Sequence, residues 1–133
     1  MGTKGTPETV LNYIKNQYGI EPDFLWAKYP NNAAFRHKES KKWFAAMLWE
    51  TPKCKLGLGN EGVVDILDLK CDPNLQGSLL DGHHFLPGYH MNKEHWITVV
   101  LDGSVSMADI YPLIDMSFAS TAPKKSGARR TRI

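Results

Sequence analysis

The sequence predicts an α+β fold, an antiparallel sheet with helices packed mainly on one face. Three observations predict it. Strand-like runs are clustered, with helix-start signals before, between and after them. Those signals are polar cap residues beside a proline or ahead of an acid: Thr6-Pro7-Glu8, Asp72-Pro73, and Ser106 with Asp109. The run 96–101 alternates Trp96, Thr98 and Val100 with Ile97, Val99 and Leu101. Apolar residues fall on both of its sides, so it reads as a central strand covered on both faces, or one whose second face meets a groove.

The 133 residues suit one domain, 6–122, followed by a tail, 123–133. Hydrophobic residues at 42% and charged residues at 23% give ordinary globular composition and exclude a disordered chain. No apolar run approaches the roughly 20 residues of a membrane-spanning helix. The first ten residues carry one Lys and no apolar core, so no signal peptide is expected, and a cytoplasmic location is the default. Cys54 and Cys71 then read as free thiols, Cys71 as a buried structural one. The formal charge of +2 hides an asymmetry: residues 124–133 hold five Lys/Arg and no acid, leaving eleven Lys/Arg against fourteen Asp/Glu elsewhere. The punctuated basic tail is expected to be disordered; it can add salt-dependent affinity for polyanions, and a solubilising terminus with no specific partner fits it equally well.

In chain order, Thr6 caps a helix over 7–18, with Val10, Leu11, Ile14 and Tyr18 as its apolar stripe and Gly19 as C-cap. Residues 23–26 lie between Pro22 and Pro30 and fit either a helical turn or a packed loop. Asn31-Asn32 turns the chain into a strand at 33–38, which forms a hairpin with a strand at 42–49. Residues 54–60 read as a loop or an irregular edge strand, because Gly57, Gly59 and Gly62 match no phosphate-binding fingerprint. A strand follows at 63–70, with Val64, Ile66 and Asp68 on one face and Asp65, Leu67 and Leu69 on the other. A charge on each face suggests that it lies near water at its start. A short helix runs from Pro73 to about Leu80, and 83–95 is a long connection containing the Pro87-Gly88 turn. The strand at 95–101 leads through Asp102-Gly103 to a last helix with Ile110, Leu113, Ile114 and Phe118 as its stripe. Pro112 inside it predicts a bend or a later start.

The chemistry-bearing residues fall into few patterns. His83, His84, His90 and His95 are close in sequence but lack metal-ligand spacing, so no metal and no cofactor is expected. Cys71 with His90 or His95 is a nucleophile pair only on paper. Asp65 and Asp68 take opposite strand faces and are poorly placed as paired acid and base. Two basic-aromatic clusters stand out instead. Arg36, His37, Lys38, Lys41 and Lys42 surround the first hairpin turn beside Phe35 and Trp43. Tyr89, His90, Lys93, His95 and Trp96 precede or open the later strand. Cations for phosphates and rings for bases or sugars are what a nucleic-acid surface needs. A solvated turn whose aromatics belong to the core fits the hairpin cluster equally well.

The segments Phe35-Arg36-His37, Lys42-Trp43-Phe44-Ala45, Leu69-Lys70-Cys71-Asp72-Pro73, PGYHMNK at 87–93 and His95-Trp96 occur in an order that resembles the MmcQ/YjbR-like family. The match covers about residues 8–122, and PGYHMNK followed by HW is its most specific part. The resemblance implies a small α+β domain with a curved sheet, likened to frataxin-like and secretion-chaperone-like proteins. It also carries a DNA-binding label that rests on a double-wing likeness, which is fold-level analogy. It implies no reaction and no catalytic residue. Residues 53–62 and the basic tail depart from the short members.

The expectation is a non-enzymatic nucleic-acid-binding domain with DNA as partner and no membrane. Arg36, Lys38, Lys41, Lys42 and Lys93 would neutralise phosphates. Tyr89, His90, His95 and Trp96 would line the contact surface, with His37 beside the hairpin cations. Lys124, Lys125, Arg129 and Arg130 would add tail affinity. The alternative is a module that binds a protein or small ligand in a groove beside 89–96; homodimerisation through a sheet edge stays open.

Overall fold

Helix α1, Pro7–Tyr18, begins where Thr6 and Thr9 cap each other: each hydroxyl accepts the other's backbone N–H, at 3.4 and 3.0 Å. It ends at Gly19, whose φ of +69° closes the helix through a bond to the Lys15 carbonyl. The computed structural model describes residues 3–25, 28 and 30–122. It continues as β1 (Asn32–Arg36), β2 (Trp43–Pro52), a 3-10 turn (Lys53–Leu56), β3 (Val63–Lys70), α2 (Pro73–Leu79), β4 (Phe85–Pro87), β5 (Trp96–Val100) and α3 (Met107–Thr121). The strands form one antiparallel sheet in the order β1-β2-β3-β5-β4, so the predicted α+β class holds.

The helices cover one face. Val10 and Ile14 of α1 and Met107, Ile110 and Ile114 of α3 pack on Phe35, Met47, Leu67, Leu69, Ile97 and Val99, all buried. The other face carries a smaller cluster: Ala46, Leu48, Val64, Ile66, Leu86 and Val100. Among the described residues no α-helix lies over it. The side chains of Leu56, Leu58, Tyr89 and Met91, from two loops, lie against it. The second face of β5 is therefore covered as well, with Thr98 and Val100 buried, one of the two arrangements its pattern allowed.

Several boundaries differ from expectation. Strand β1 stops at Arg36 because the register shifts there; His37 N–H then bonds the Lys42 carbonyl and Lys41, at φ +64°, closes the turn. Strand β2 runs on to Pro52 through an irregularity after Leu48, where Glu50 adopts φ +54°. The connection at 83–95 contains a short edge strand, β4, that three residues cannot announce by periodicity. Helix α3 starts at Met107 and runs through Pro112, so no later start occurs. Among the described residues no helix is long and apolar enough to cross a membrane. Trp26 and the tail cations Lys124, Lys125, Arg129 and Arg130 lie outside the described residues.

Candidate functional site

Strand β3 lies in the middle of the sheet, and its position 68 points to the helix-free face. The strand is exposed only at its start, Val63, and the residue at position 68 is Asp68, fully buried. Its neighbour across the ladder on β5 is Thr98. The Thr98 hydroxyl donates to Asp68 Oδ1 at 2.5 Å, and the Tyr89 N–H donates to that hydroxyl at 2.8 Å. Asp68 Oδ2 is buried and has no hydrogen-bond partner. Burial pushes this carboxyl up from the ordinary 3.8 to about 7, while the Thr98 hydrogen bond, the charge of Lys93 and the Tyr89 amide pull weakly the other way. A buried acceptor left unpaired costs free energy, so it needs either a functional or a structural account.

Asp68 lies at the bottom of a pocket of about 530 Å3, lined also by Asn32, Trp43, Ala46, Leu48, Lys55, His90 and Met91. That volume falls within the roughly 300–1,000 Å3 of small-molecule sites. Small Ala46 leaves the depth, Trp43, Leu48 and Met91 supply apolar walls, and Lys55 and His90 are exposed. An adjoining hollow of about 440 Å3 shares Lys55 and His90 and adds Leu86, Tyr89 and Lys93.

The loop that closes the pocket is held by backbone features. Gly88 passes so close to Trp96 that a Cβ would sit 2.8 Å from both the Trp96 Cβ and its carbonyl oxygen. The Gly88 N–H bonds that carbonyl at 3.1 Å, and Lys93 Nζ donates to the Gly88 carbonyl at 2.9 Å. His90 adopts φ +64°, an uncommon conformation for a residue with a side chain. Its ring contacts the Tyr89 ring, with centroids 4.0 Å apart.

The expected nucleic-acid residues separate into groups. His37 is buried on the helix side, with its ring against Phe44 and Phe118 and Nε2 2.9 Å from Thr121 Oγ1. Burial lowers its pKa and keeps it neutral, so it offers neither a surface nor a charge to a phosphate. Phe35 is likewise core. Arg36 Nε bonds Asp23 at 2.9 Å. Lys38, Lys41 and Lys42 are exposed and make no ion pair among the described residues. The sheet register brings the β1–β2 turn and the start of β5 to one end of the sheet: Arg36 pairs Trp43, Ala45 pairs Leu69, and Lys70 pairs Trp96. There Lys70 Nζ stands 5.8 Å over the half-buried Trp96 ring. His95 is exposed beside Glu94. Trp43 from the first cluster and His90 from the second meet in the pocket, but the hairpin lysines do not line it.

Sequence reasoning passed over Asp68, Lys55 and Met91. The signal for Asp68 was present: a carboxylate sharing a strand face with Val64 and Ile66. Both cysteines are free, Cys54 exposed and Cys71 buried. Burial pushes the Cys71 thiol up, away from the thiolate a nucleophile needs. Among the described residues no three His, Cys, Asp or Glu side chains gather as metal ligands.

Relatives agree with this architecture. The chain is 46% identical over 116 residues to the uncharacterized protein YyaQ of Bacillus subtilis, covering 87% of this chain and 98% of YyaQ. It is 43% identical over 53 residues to the uncharacterized protein YjbR of Escherichia coli K12, covering 39% of this chain and 45% of YjbR. A crystal structure of a Pseudomonas syringae protein superposes with a TM-score of 0.83 at 40% identity, covering 88% of this chain and 99% of that one. A Deinococcus radiodurans protein shares the fold at a TM-score of 0.66 and 23% identity, covering 93% and 82%. The YjbR family model matches residues 15–120, and on that match the chain belongs to the YjbR family.

Proposed function

We propose that this chain is a ligand-binding module that takes a small molecule into the pocket on the helix-free face of its sheet. One observation carries the reading: the buried, unpartnered Asp68 Oδ2 at the bottom of that pocket. A carboxylate oxygen held out of water on the central strand is costly unless something donates to it. Thr98 and Tyr89 fix the other oxygen, so Oδ2 is preorganised for an incoming donor. The test is a fragment screen by protein-observed NMR on the full chain. Hits are expected to shift the amides of Ala46, Asp68 and Met91 and to be lost in Trp43→Ala. A screen whose hits all map elsewhere, or that has none, removes the reading.

A second reading, DNA or RNA binding, is favoured by a different observation. Lys38, Lys41 and Lys42 are exposed and make no ion pair among the described residues, at the sheet end that also carries Lys70 and Trp96. Against it, the chain outside the tail holds eleven Lys/Arg and fourteen Asp/Glu. Duplex and single-strand titrations decide it. Binding should weaken with salt at a slope of about −0.9 per phosphate neutralised on a duplex. Changing the three lysines to Gln should lower that slope more than deleting 124–133 does. Salt-independent binding, or none at micromolar protein, rejects it.

A further inference from the structure

We infer that the pocket takes an amino-bearing planar heterocycle with an anionic arm, the chemistry of a mononucleotide. The inference rests on the small-ligand reading of the same pocket and names its ligand class.

The argument begins at the bottom of the pocket. The Thr98 hydroxyl gives its one proton to Asp68 Oδ1 and accepts from the Tyr89 N–H, and Oδ2 is left without a partner. For the ionised carboxylate, the form that prevails above pH 7, the missing partner is a hydrogen-bond donor. A metal ion does not fit, because Asp68 is the only carboxylate among the described lining residues and a hard cation needs several oxygen ligands. A bare organic cation fits poorly too. Lys55 and His90 line the pocket, and the Lys93 charge acts on Asp68 from the loop above. An amino group on a neutral ring donates without bringing a charge into that field.

The walls select the rest of the molecule. Trp43, Leu48 and Met91 present an aromatic face, a branched alkyl chain and a polarizable thioether, surfaces that favour a flat ring. Ala46 is the small residue that admits it. Lys55 and His90 are the exposed members of the lining and suit an anionic group extending toward solvent. A volume of about 530 Å3 accommodates a ring, a sugar-sized spacer and a phosphate.

Matched pairs of probes test the class in calorimetry and NMR on the full chain. AMP and CMP carry an amino group where IMP and UMP carry a carbonyl oxygen. At pH 8, where Asp68 is ionised, the wild-type chain is expected to bind AMP over IMP, and CMP over UMP, for at least one pair by about tenfold, since the carbonyl would face the Asp68 acceptor. In Asp68→Asn, the side-chain oxygen stays with Thr98 and an NH2 replaces Oδ2, so the preference within that pair should reverse. Lys55→Gln, at an exposed position, should weaken AMP several-fold and leave adenosine nearly unchanged. Equal binding within both pairs, or an unreversed preference in a folded Asp68→Asn chain, overturns the inference. If no nucleotide shifts the pocket amides but other fragments do, the ligand class is wrong and the pocket reading stands. If nothing shifts them, both fall.

Discussion

Replacing Asp68 by Asn removes one titrating group from the middle of the sheet and leaves its shape. Asp68 has a folded-state pKa of about 7 against 3.8 for an ordinary carboxyl, and burial is the main cause. A raised folded value means that the unfolded chain gives up this proton first. The contribution of Asp68 to stability is therefore fully present below pH 3.8 and is lost as pH rises to 7. Between those limits the loss is about 1.4 kcal/mol per pH unit. The whole difference converts to about 4 kcal/mol, and above pH 7 it stays constant. Other groups titrate over the same range, so the informative quantity is the difference between the two proteins. Urea unfolding at pH 4.5, 5.5, 6.5 and 8 measures it. The stability of Asp68→Asn relative to wild type should climb with pH, by several kcal/mol in all, and level off above 7. The starting offset depends on how well the new amide finds partners. The slope does not. Parallel pH–stability curves for the two proteins would refute the claim that a buried carboxyl is ionised at cost in the folded chain.

Three further outcomes follow from the packing. His37→Ala should cost about 2–4 kcal/mol in urea unfolding, because it empties the space beside Phe44 and Phe118 and strips Thr121 of a partner; a loss below 1 kcal/mol would contradict its core role. Gly88→Ala should cost about 1–3 kcal/mol, since its Cβ would collide with the Trp96 backbone, and should shift the Tyr89 and Met91 amides. An unchanged spectrum would contradict the tight passage. Tyr13 and Tyr18 both donate to Asp115, and burial with that carboxylate raises the Tyr13 phenol to about 12. The unfolded chain ionises first, so stability should fall from pH 10 upward, and Tyr13→Phe should fall less steeply in thermal melts at pH 9, 10 and 11.

Local signals were legible where a residue's role depends on its chain neighbours. Thr6 with Pro7, Asp72 with Pro73, and Ser106 each cap a helix because capping joins a side chain to N–H groups two or three residues away. Strand β3 was placed at its full length, and β5 within a residue at each end, because alternation survives whatever packs on them. The family's most specific segment, 87–93, proved to be the loop beside the pocket, and that segment supplies His90 and Met91.

What alternation cannot state is which distant residues cover a face. The sequence put Asp68 on one side of β3 with Val64 and Ile66. Only the sheet order, which makes β3 central, and the loops carrying Tyr89, Met91 and Leu56 turn that position into a buried one. His37 looked like part of a cationic turn, yet the register shift at the end of β1 sends its ring under α3. Trp43 and His90 are 47 positions apart and meet because the fold returns the chain across the sheet. Chain-local chemistry sets caps, turns and faces. Burial is a property of what lies opposite, and for Asp68, His37 and Trp43 that was settled by tertiary packing.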